Sequence, residues 1–132
     1  MREVDELFGD VRRRGRAAWA PAVDVFYVDD PPRAIVHAEL PGVDPAQVTL
    51  EIQGRELLLQ GHRSAPVAEG RLYQQIEIEH GTFKRVIPLG ADVDRDAAKA
   101  TYRDGILEVT LPLVRREPSK RKVSITTREG AA

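Results

Sequence analysis

Histidine, serine and cysteine, which supply many catalytic and metal-binding side chains, are few or absent in this sequence. The chain has three histidines and three serines, which are His37, His62, His80, Ser64, Ser119 and Ser124. The histidines occur at none of the spacings that place two imidazoles on one metal ion. No serine stands in the Gly-x-Ser-x-Gly pattern of a nucleophile elbow. Cysteine is absent, which excludes thiol catalysis and cysteine-ligated zinc. We therefore predict that the protein is not an enzyme and uses no cofactor, metal ion or small-molecule substrate.

Charge and hydropathy exclude further classes of function. The 132 residues carry 20 basic and 21 acidic side chains, a net charge of −1, whereas a dedicated nucleic-acid binder is usually strongly basic. Two basic clusters, at 12–16 and 120–122, contain no aromatic residues among their cations to stack on bases. No apolar stretch approaches the length of a membrane span, and acidic residues stand near the start, where a secretion signal would be apolar. We predict a cytoplasmic protein that neither binds nucleic acid nor spans a membrane.

The middle of the chain, residues 21–113, is predicted to form one all-β domain. Apolar and polar residues alternate there with the period of half-buried strands. We predict seven strands, at 23–27, 34–40, 48–52, 57–60, 83–87, 98–102 and 106–111, and a further short strand at 76–79. Asp104-Gly105 is a pair typical of a two-residue hairpin turn, so the last two strands should form a hairpin. Since no long helical pattern separates the strands, we expect an immunoglobulin-like β-sandwich.

The two ends of the chain differ from this domain. In the arm, residues 1–20, Val4, Leu7, Phe8 and Val11 form one apolar stripe at helical spacing. Two helical turns are too short to be stable alone, so the stripe either docks on another surface or belongs to a frayed terminus. In the tail, residues 114–132, charged and small residues surround Val123-Ser-Ile125. Such a tail cannot bury enough surface to order itself, and we interpret its short apolar pair as a docking peptide.

Five segments resemble, in the same order, the motifs of the small heat-shock proteins, whose domain is called the α-crystallin domain. They are Trp19-Ala-Pro-Ala-Val-Asp24, Ala38-Glu-Leu-Pro-Gly-Val43, Gly81-Thr-Phe-Lys-Arg85 with Ala91-Asp-Val-Asp94, Gly105-Ile-Leu-Glu-Val-Thr-Leu-Pro112, and Val123-Ser-Ile125. The fourth is the most specific, since it is similar to the family's Gly-x-Leu-x-Val-x-Leu-Pro. Gly90 departs from the pattern, because the family usually has proline there.

The resemblance implies a groove for the tail. Leu50 and Ile52 on one strand, with Ala98 and Ala100 on another, would accept Val123 and Ile125 from the tail of a neighbouring subunit. The alternative is that these four residues simply belong to the core, and alternation alone does not separate the two interpretations.

The resemblance also implies a dimer. Leu72 and Tyr73 would lie in a segment that each subunit lends to its partner as a strand. Arg85 would meet an acidic residue near that interface.

The function that the resemblance implies is that of an ATP-independent holdase, a chaperone that binds unfolding proteins as a homo-oligomer. Flexible apolar residues suit such binding because they can repack against different surfaces. The candidates are Val4, Leu7, Phe8, Val11 and Trp19, although Trp19 could equally pack within the domain. One alternative is a monomeric co-chaperone-like module of the related CS-domain type. A sugar-binding sandwich is a further alternative, but aromatic residues make up only 5% of the chain.

Overall fold

A computed structural model describes residues 19–67, 69–114 and 122–128 of the chain. Its strands are β1 (Val23–Val28), β2 (Arg33–Glu39), β3 (Val48–Gln53), β4 (Glu56–Arg63), β5 (Gly81–Pro88), β6 (Lys99–Arg103) and β7 (Ile106–Pro112). Two single-turn 3-10 helices, Pro45–Gln47 and Arg95–Ala97, precede β3 and β6. The seven main predicted strands are therefore confirmed, with their ends shifted by a few residues at most.

The strands form two antiparallel sheets. One sheet has the order β1-β2-β7-β6 and the other the order β3-β4-β5. In the larger sheet Val36 of β2 lies opposite Val109 of β7, and in the smaller one Leu57 of β4 lies opposite Ile87 of β5. These aligned apolar pairs face the space between the sheets, and the sandwich prediction is confirmed.

The core lies between the two sheets, as the alternation of the strands requires. On β2, Ala34, Val36 and Ala38 are buried, whereas Ile35 and His37 between them are only half-buried. The fully buried side chains of largest volume are Leu40, Leu57, Leu59, Ile87, Leu111 and Val36. Because burial follows a two-residue period, a shift by one residue would turn a whole apolar face outwards.

The turn between β6 and β7 is the predicted two-residue hairpin. Asp104 and Gly105 both have positive φ angles, of 52° and 78°. A type I′ turn needs this conformation at both positions, and its twist matches that of the strands. The Gly105 carbonyl also accepts a hydrogen bond from the Leu40 amide at 2.7 Å, so the hairpin tip is fixed to the end of β2.

The predicted strand at 76–79 is wrong. The chain between β4 and β5 contains no strand among its described residues 64–67 and 69–80. Ile78, which alternation would turn towards a core, is 68% exposed. Alternation is not sufficient for a strand, because the backbone N–H and C=O groups also need a neighbouring edge. Among the described residues of the chain, no such edge pairs with this segment.

The packed unit reaches slightly beyond the predicted domain limits of 21 and 113. The Trp19 amide donates a hydrogen bond to the Thr82 carbonyl at 3.4 Å, and the Val114 amide donates one to the Asp92 carbonyl at 3.0 Å. Among the residues described, no helix has the length and apolar character needed to cross a membrane.

Candidate docking groove and dimer segment

An open groove of about 330 Å³ lies between β3 and β6, which are edge strands of different sheets. We call it the docking groove, and its lining residues are Leu50, Ile52, Leu57, Arg95, Ala98, Lys99, Ala100 and Val109. Apolar side chains form most of this lining, and the two cations come from the 3-10 turn and the start of β6. The arrangement suits an extended peptide with apolar side chains.

The local sequence explains why a groove forms there. Leu50 and Ile52 occupy alternate positions of β3 and lean towards the core, where both are half-buried. Opposite them, Ala98 and Ala100 have side chains too short to close the gap. An isoleucine or leucine at either alanine would occupy part of that space.

The structure thus brings all four predicted groove residues to one cavity. None of them is buried, since Leu50, Ile52 and Ala98 are half-buried and Ala100 is exposed. Leu50, Ile52 and Ala98 also pack against the buried core, so these residues border the core and line the groove at the same time. That the tail occupies the groove stays a prediction.

The tail residues of the proposed docking peptide are exposed. Val123 is 79% and Ile125 93% exposed. Ser124 between them is also exposed, and residues 122–128 have no regular secondary structure. Two branched aliphatic side chains that alternate in an extended chain would enter a groove on the same side.

The segment that joins β4 to β5, residues 64–80 apart from the undescribed residue 68, also exposes apolar side chains. We call it the β4–β5 segment. Val67, Leu72 and Ile78 are 80%, 42% and 68% exposed. Tyr73 is half-buried, and its hydroxyl accepts a long hydrogen bond of 3.5 Å from Arg71 Nη1. The roles of Leu72 and Tyr73 in a dimer stay predictions.

Arg85 lies on the inward-facing side of β5, between Phe83 and Ile87, and is half-buried. Its Nη1 donates a hydrogen bond of 2.7 Å to the carbonyl of Pro21. Within the described chain the guanidinium therefore fixes the segment before β1 to the edge of β5. The acidic partner expected across an interface stays a prediction.

Trp19 packs within the domain. It is 8% exposed, its ring centroid lies 5.0 Å from that of Phe83, and its Nε1 donates a hydrogen bond of 3.1 Å to the Gly81 carbonyl. Burial and a satisfied indole N–H favour the packing interpretation in the single chain, and a client-binding role for Trp19 stays a prediction. The other candidates, Val4, Leu7, Phe8 and Val11, lie outside the described residues.

Comparison with known proteins identifies the family. A family model described as the Hsp20/alpha crystallin family matches residues 27–126. The chain belongs to this family. The "Probable 15 kDa heat shock protein" of Leptospira interrogans is 31% identical over 106 residues, which cover 80% of this chain and 78% of that protein. "Heat shock protein 16" of Schizosaccharomyces pombe is 31% identical over 110 residues, covering 80% and 75% of the two chains.

Solved structures agree with the sandwich of this family member. "Heat shock protein 16.0 from Schizosaccharomyces pombe" has a TM-score of 0.68 and 28% identity, and the match covers 82% of this chain and 99% of that one. The chain is also similar to a small heat-shock protein from Xylella fastidiosa, with a TM-score of 0.64 and 27% identity. That match covers 84% of this chain and 100% of the other, whose structure is described as having "a distinct high order structure".

Gly90, which departs from the proline usual in this family, has a specific contact. Its backbone N–H donates a hydrogen bond to the hydroxyl of Tyr27 on β1. A Cβ atom at this position would lie 3.0 Å from that hydroxyl oxygen. Proline has no N–H and could not donate this hydrogen bond. In this Hsp20-family chain the contact between Gly90 and Tyr27 therefore depends on the glycine. Neither residue was singled out for this contact by sequence reasoning.

One ion pair connects the two loops at the end of the smaller sheet. Arg55 Nε lies 2.9 Å from Asp92 Oδ1. The hydrogen bond to this carboxylate raises the pKa of Arg55, and the negative charge of Asp92 adds to the effect. The guanidinium is solvent-exposed, so the pair aligns the loops more than it stabilises the fold. Within the described ranges, no three His, Asp or Glu side chains are grouped closely enough to hold a metal ion.

Proposed function

We propose that the protein is an ATP-independent holdase that binds unfolding proteins and acts as a homo-oligomer assembled from dimers. The observation that carries this proposal is the coexistence of an open apolar groove between β3 and β6 with an exposed Val123-x-Ile125 pair in the tail. One surface can accept what the other presents, so copies of this chain have complementary parts. Membership of the Hsp20/alpha crystallin family supports the proposal.

The energetics favour a tail contact that forms and breaks readily. Full burial of two branched aliphatic side chains contributes about 3–6 kcal/mol. Ordering the three residues from Val123 to Ile125 costs about 1–2 kcal/mol each, which nearly cancels that gain. A single tail is therefore a weak link, and an assembly is held by several links through their high effective concentration.

The dimer is the second part of the proposal. β1 is an edge strand of the larger sheet, and Phe26 and Tyr27 on it are 39% and 47% exposed. An unpaired strand edge can accept an extended segment from another chain. We assign that role to the β4–β5 segment, where Leu72 and Tyr73 would contribute contacts.

Client binding completes the proposal. When heat weakens the tail links, the apolar lining of the docking groove becomes available to other extended chains. The arm, with Val4, Leu7, Phe8 and Val11, supplies further apolar side chains. No nucleotide is required, because temperature itself shifts the equilibrium between bound and free grooves. The cytoplasmic location inferred from the sequence belongs to this proposal, and fractionation of cells that express the protein tests it.

Light scattering tests the activity. A heat-labile client should aggregate less in the presence of the purified protein, to the same extent with ATP, without ATP and after apyrase treatment. Molar mass from size-exclusion chromatography with multi-angle light scattering should exceed that of one 14.7 kDa chain. Strict dependence on ATP would contradict the holdase proposal, and a monomeric mass would favour the CS-domain-like alternative.

A further inference from the structure

The guanidinium of Arg63 connects three parts of the chain that are distant in sequence. Its Cζ atom lies 3.9 Å from the ring centroid of Trp19, a cation–π contact. Its Nη1 donates a hydrogen bond of 3.2 Å to the carbonyl of Pro41, at the end of β2. Its Nε and Nη2 both donate to the carbonyl of Glu79, the former at 2.9 Å. One half-buried side chain thus makes four contacts.

These contacts close the base of the β4–β5 segment. Arg63 is the last residue of β4, and its backbone lies opposite Gly81, the first residue of β5. Its side chain holds the carbonyl two residues earlier, at Glu79. Gly81 has a φ of +103°, a conformation that residues with a side chain rarely adopt. The segment is therefore fixed at its base by a ladder pair, by a glycine turn and by the guanidinium.

The same base also holds the entry of the chain into the domain. The Nε1 of Trp19 donates to the Gly81 carbonyl and its amide to the Thr82 carbonyl, so the indole lies between Arg63 and the first residues of β5. If Trp19 leaves, the guanidinium loses the ring beneath it. If the segment pulls Glu79 away, the guanidinium loses two of its hydrogen bonds and can leave the ring.

We propose that Arg63 is a positioning residue that couples the attachment of the arm at Trp19 to the order of the β4–β5 segment, so that the two are released together. The functional consequence, simultaneous exposure of the arm and of the dimer segment on heating, rests on the proposed function. The coupling itself does not, because it concerns contacts within one chain. Arg63 was not among the residues singled out from the sequence.

Two spectroscopic probes can follow the two sites separately in the full chain. Trp19 is the single tryptophan, so intrinsic fluorescence reports on the arm entry. The chain has no cysteine, so Glu77→Cys provides one site for a nitroxide close to the base of the segment. In the otherwise unchanged protein, the red shift of the fluorescence and the mobilisation of the nitroxide should follow the same curve on heating.

Arg63→Gln should separate these curves. The nitroxide should become mobile at a lower temperature than the fluorescence shift, and below the melt its mobile fraction should rise about tenfold, which corresponds to about 1.4 kcal/mol. Arg63→Lys keeps the charge but cannot place two N–H groups on one carbonyl in the fixed geometry of a guanidinium, so its curves should also separate. Far-UV circular dichroism confirms that each variant is folded at the starting temperature.

Arg33→Gln is the matched control. Arg33 also donates to loop carbonyls, those of Asp29 and Pro31, and it is not within the Arg63 cluster, so its loss should leave the two curves superimposed. Superimposed curves in both Arg63 variants would overturn the coupling. Separated curves in Arg63→Gln with superimposed curves in Arg63→Lys would support the coupling but overturn the guanidinium geometry as its cause, since charge alone would suffice. Suppression of client aggregation, measured on the same samples, tests the proposed function independently.

Discussion

Replacing both Val123 and Ile125 by alanine should break the assembly while leaving the sandwich intact. Val→Ala removes two carbon atoms and Ile→Ala three, and each buried methylene contributes about 0.8 kcal/mol. Because the two side chains are 79% and 93% exposed in the single chain, nearly all of this gain is available on docking. The loss is about 3–4 kcal/mol for each tail, or about 100–1,000-fold in the affinity of a single link.

The remaining contribution of such a tail cannot offset the cost of ordering it. We therefore expect the double variant to fall to dimers or other small species, as measured by multi-angle light scattering at a concentration equal to that of the wild type. The far-UV circular dichroism spectrum should be unchanged, since the tail lies outside the seven strands. Thr126→Ala with Thr127→Ala is the matched control, because these neighbours are exposed but lack the branched aliphatic pair.

A complementary variant tests the groove rather than the tail. Ala98→Leu adds three carbon atoms to a lining residue of the 330 Å³ cavity, and it should reduce the molar mass in the same way without altering the tail. An unchanged large mass in both the tail and the groove variants would refute the reasoning. Assembly would then depend on the arm that carries Leu7 and Phe8.

Two further variants test single contacts. Arg85→Gly removes the hydrogen bond to the carbonyl of Pro21 and should lower the free energy of unfolding by about 1.5–3 kcal/mol in denaturant titration. A simultaneous loss of dimer mass would support the predicted interface role of Arg85. Unchanged stability and mass would contradict both the packing role and the interface role. Gly90→Pro removes the N–H that donates to the exposed Tyr27 hydroxyl and should lower the free energy of unfolding by about 0.5–1.5 kcal/mol in the same titration. Tyr27→Phe removes the same bond without adding a ring, so equal stability of Tyr27→Phe and the wild type would show that the bond contributes nothing.

Much of the fold could be predicted because each strand carries its own signal. A period of two in apolar residues locates β2 and β7, and Asp104-Gly105 defines the hairpin between β6 and β7 through the positive φ angles that both residues adopt. The groove residues were predicted through a resemblance rather than through alternation, which does not distinguish a core position from a half-buried edge position. Their shared cavity follows from the positions of β3 and β6 at the edges of two different sheets, a property of the whole fold.

The contacts that escaped prediction join residues remote in sequence. Arg63 and Trp19 are separated by more than forty positions, and no local pattern indicates that a guanidinium will lie over that indole. The contact between Tyr27 and Gly90 is of the same kind. The failed strand at 76–79 shows the converse. Its local pattern was correct for a strand, but among the described residues none of the chain's own strand edges pairs with it.

The positions of the strand edges connect assembly to chaperone action. In the part of the chain that the structure describes, the two sheets have four edge strands, β1, β6, β3 and β5, and unprotected edges promote aggregation. The chain covers part of one edge itself, since Trp19 forms a bridge with Phe83 on β5 and Arg85 holds Pro21 beside it. β3 and β6 instead flank the docking groove, and β1 remains at the outer edge of its sheet.

On the proposed function, copies of the chain protect the edges of β1, β3 and β6 with tails and β4–β5 segments when no client is bound. Because each tail link is close to energetic balance, heating opens the same edges to the exposed extended segments of unfolding proteins. The surfaces that hold the oligomer together are then also the surfaces that bind clients, so variants that fill the groove should weaken both properties.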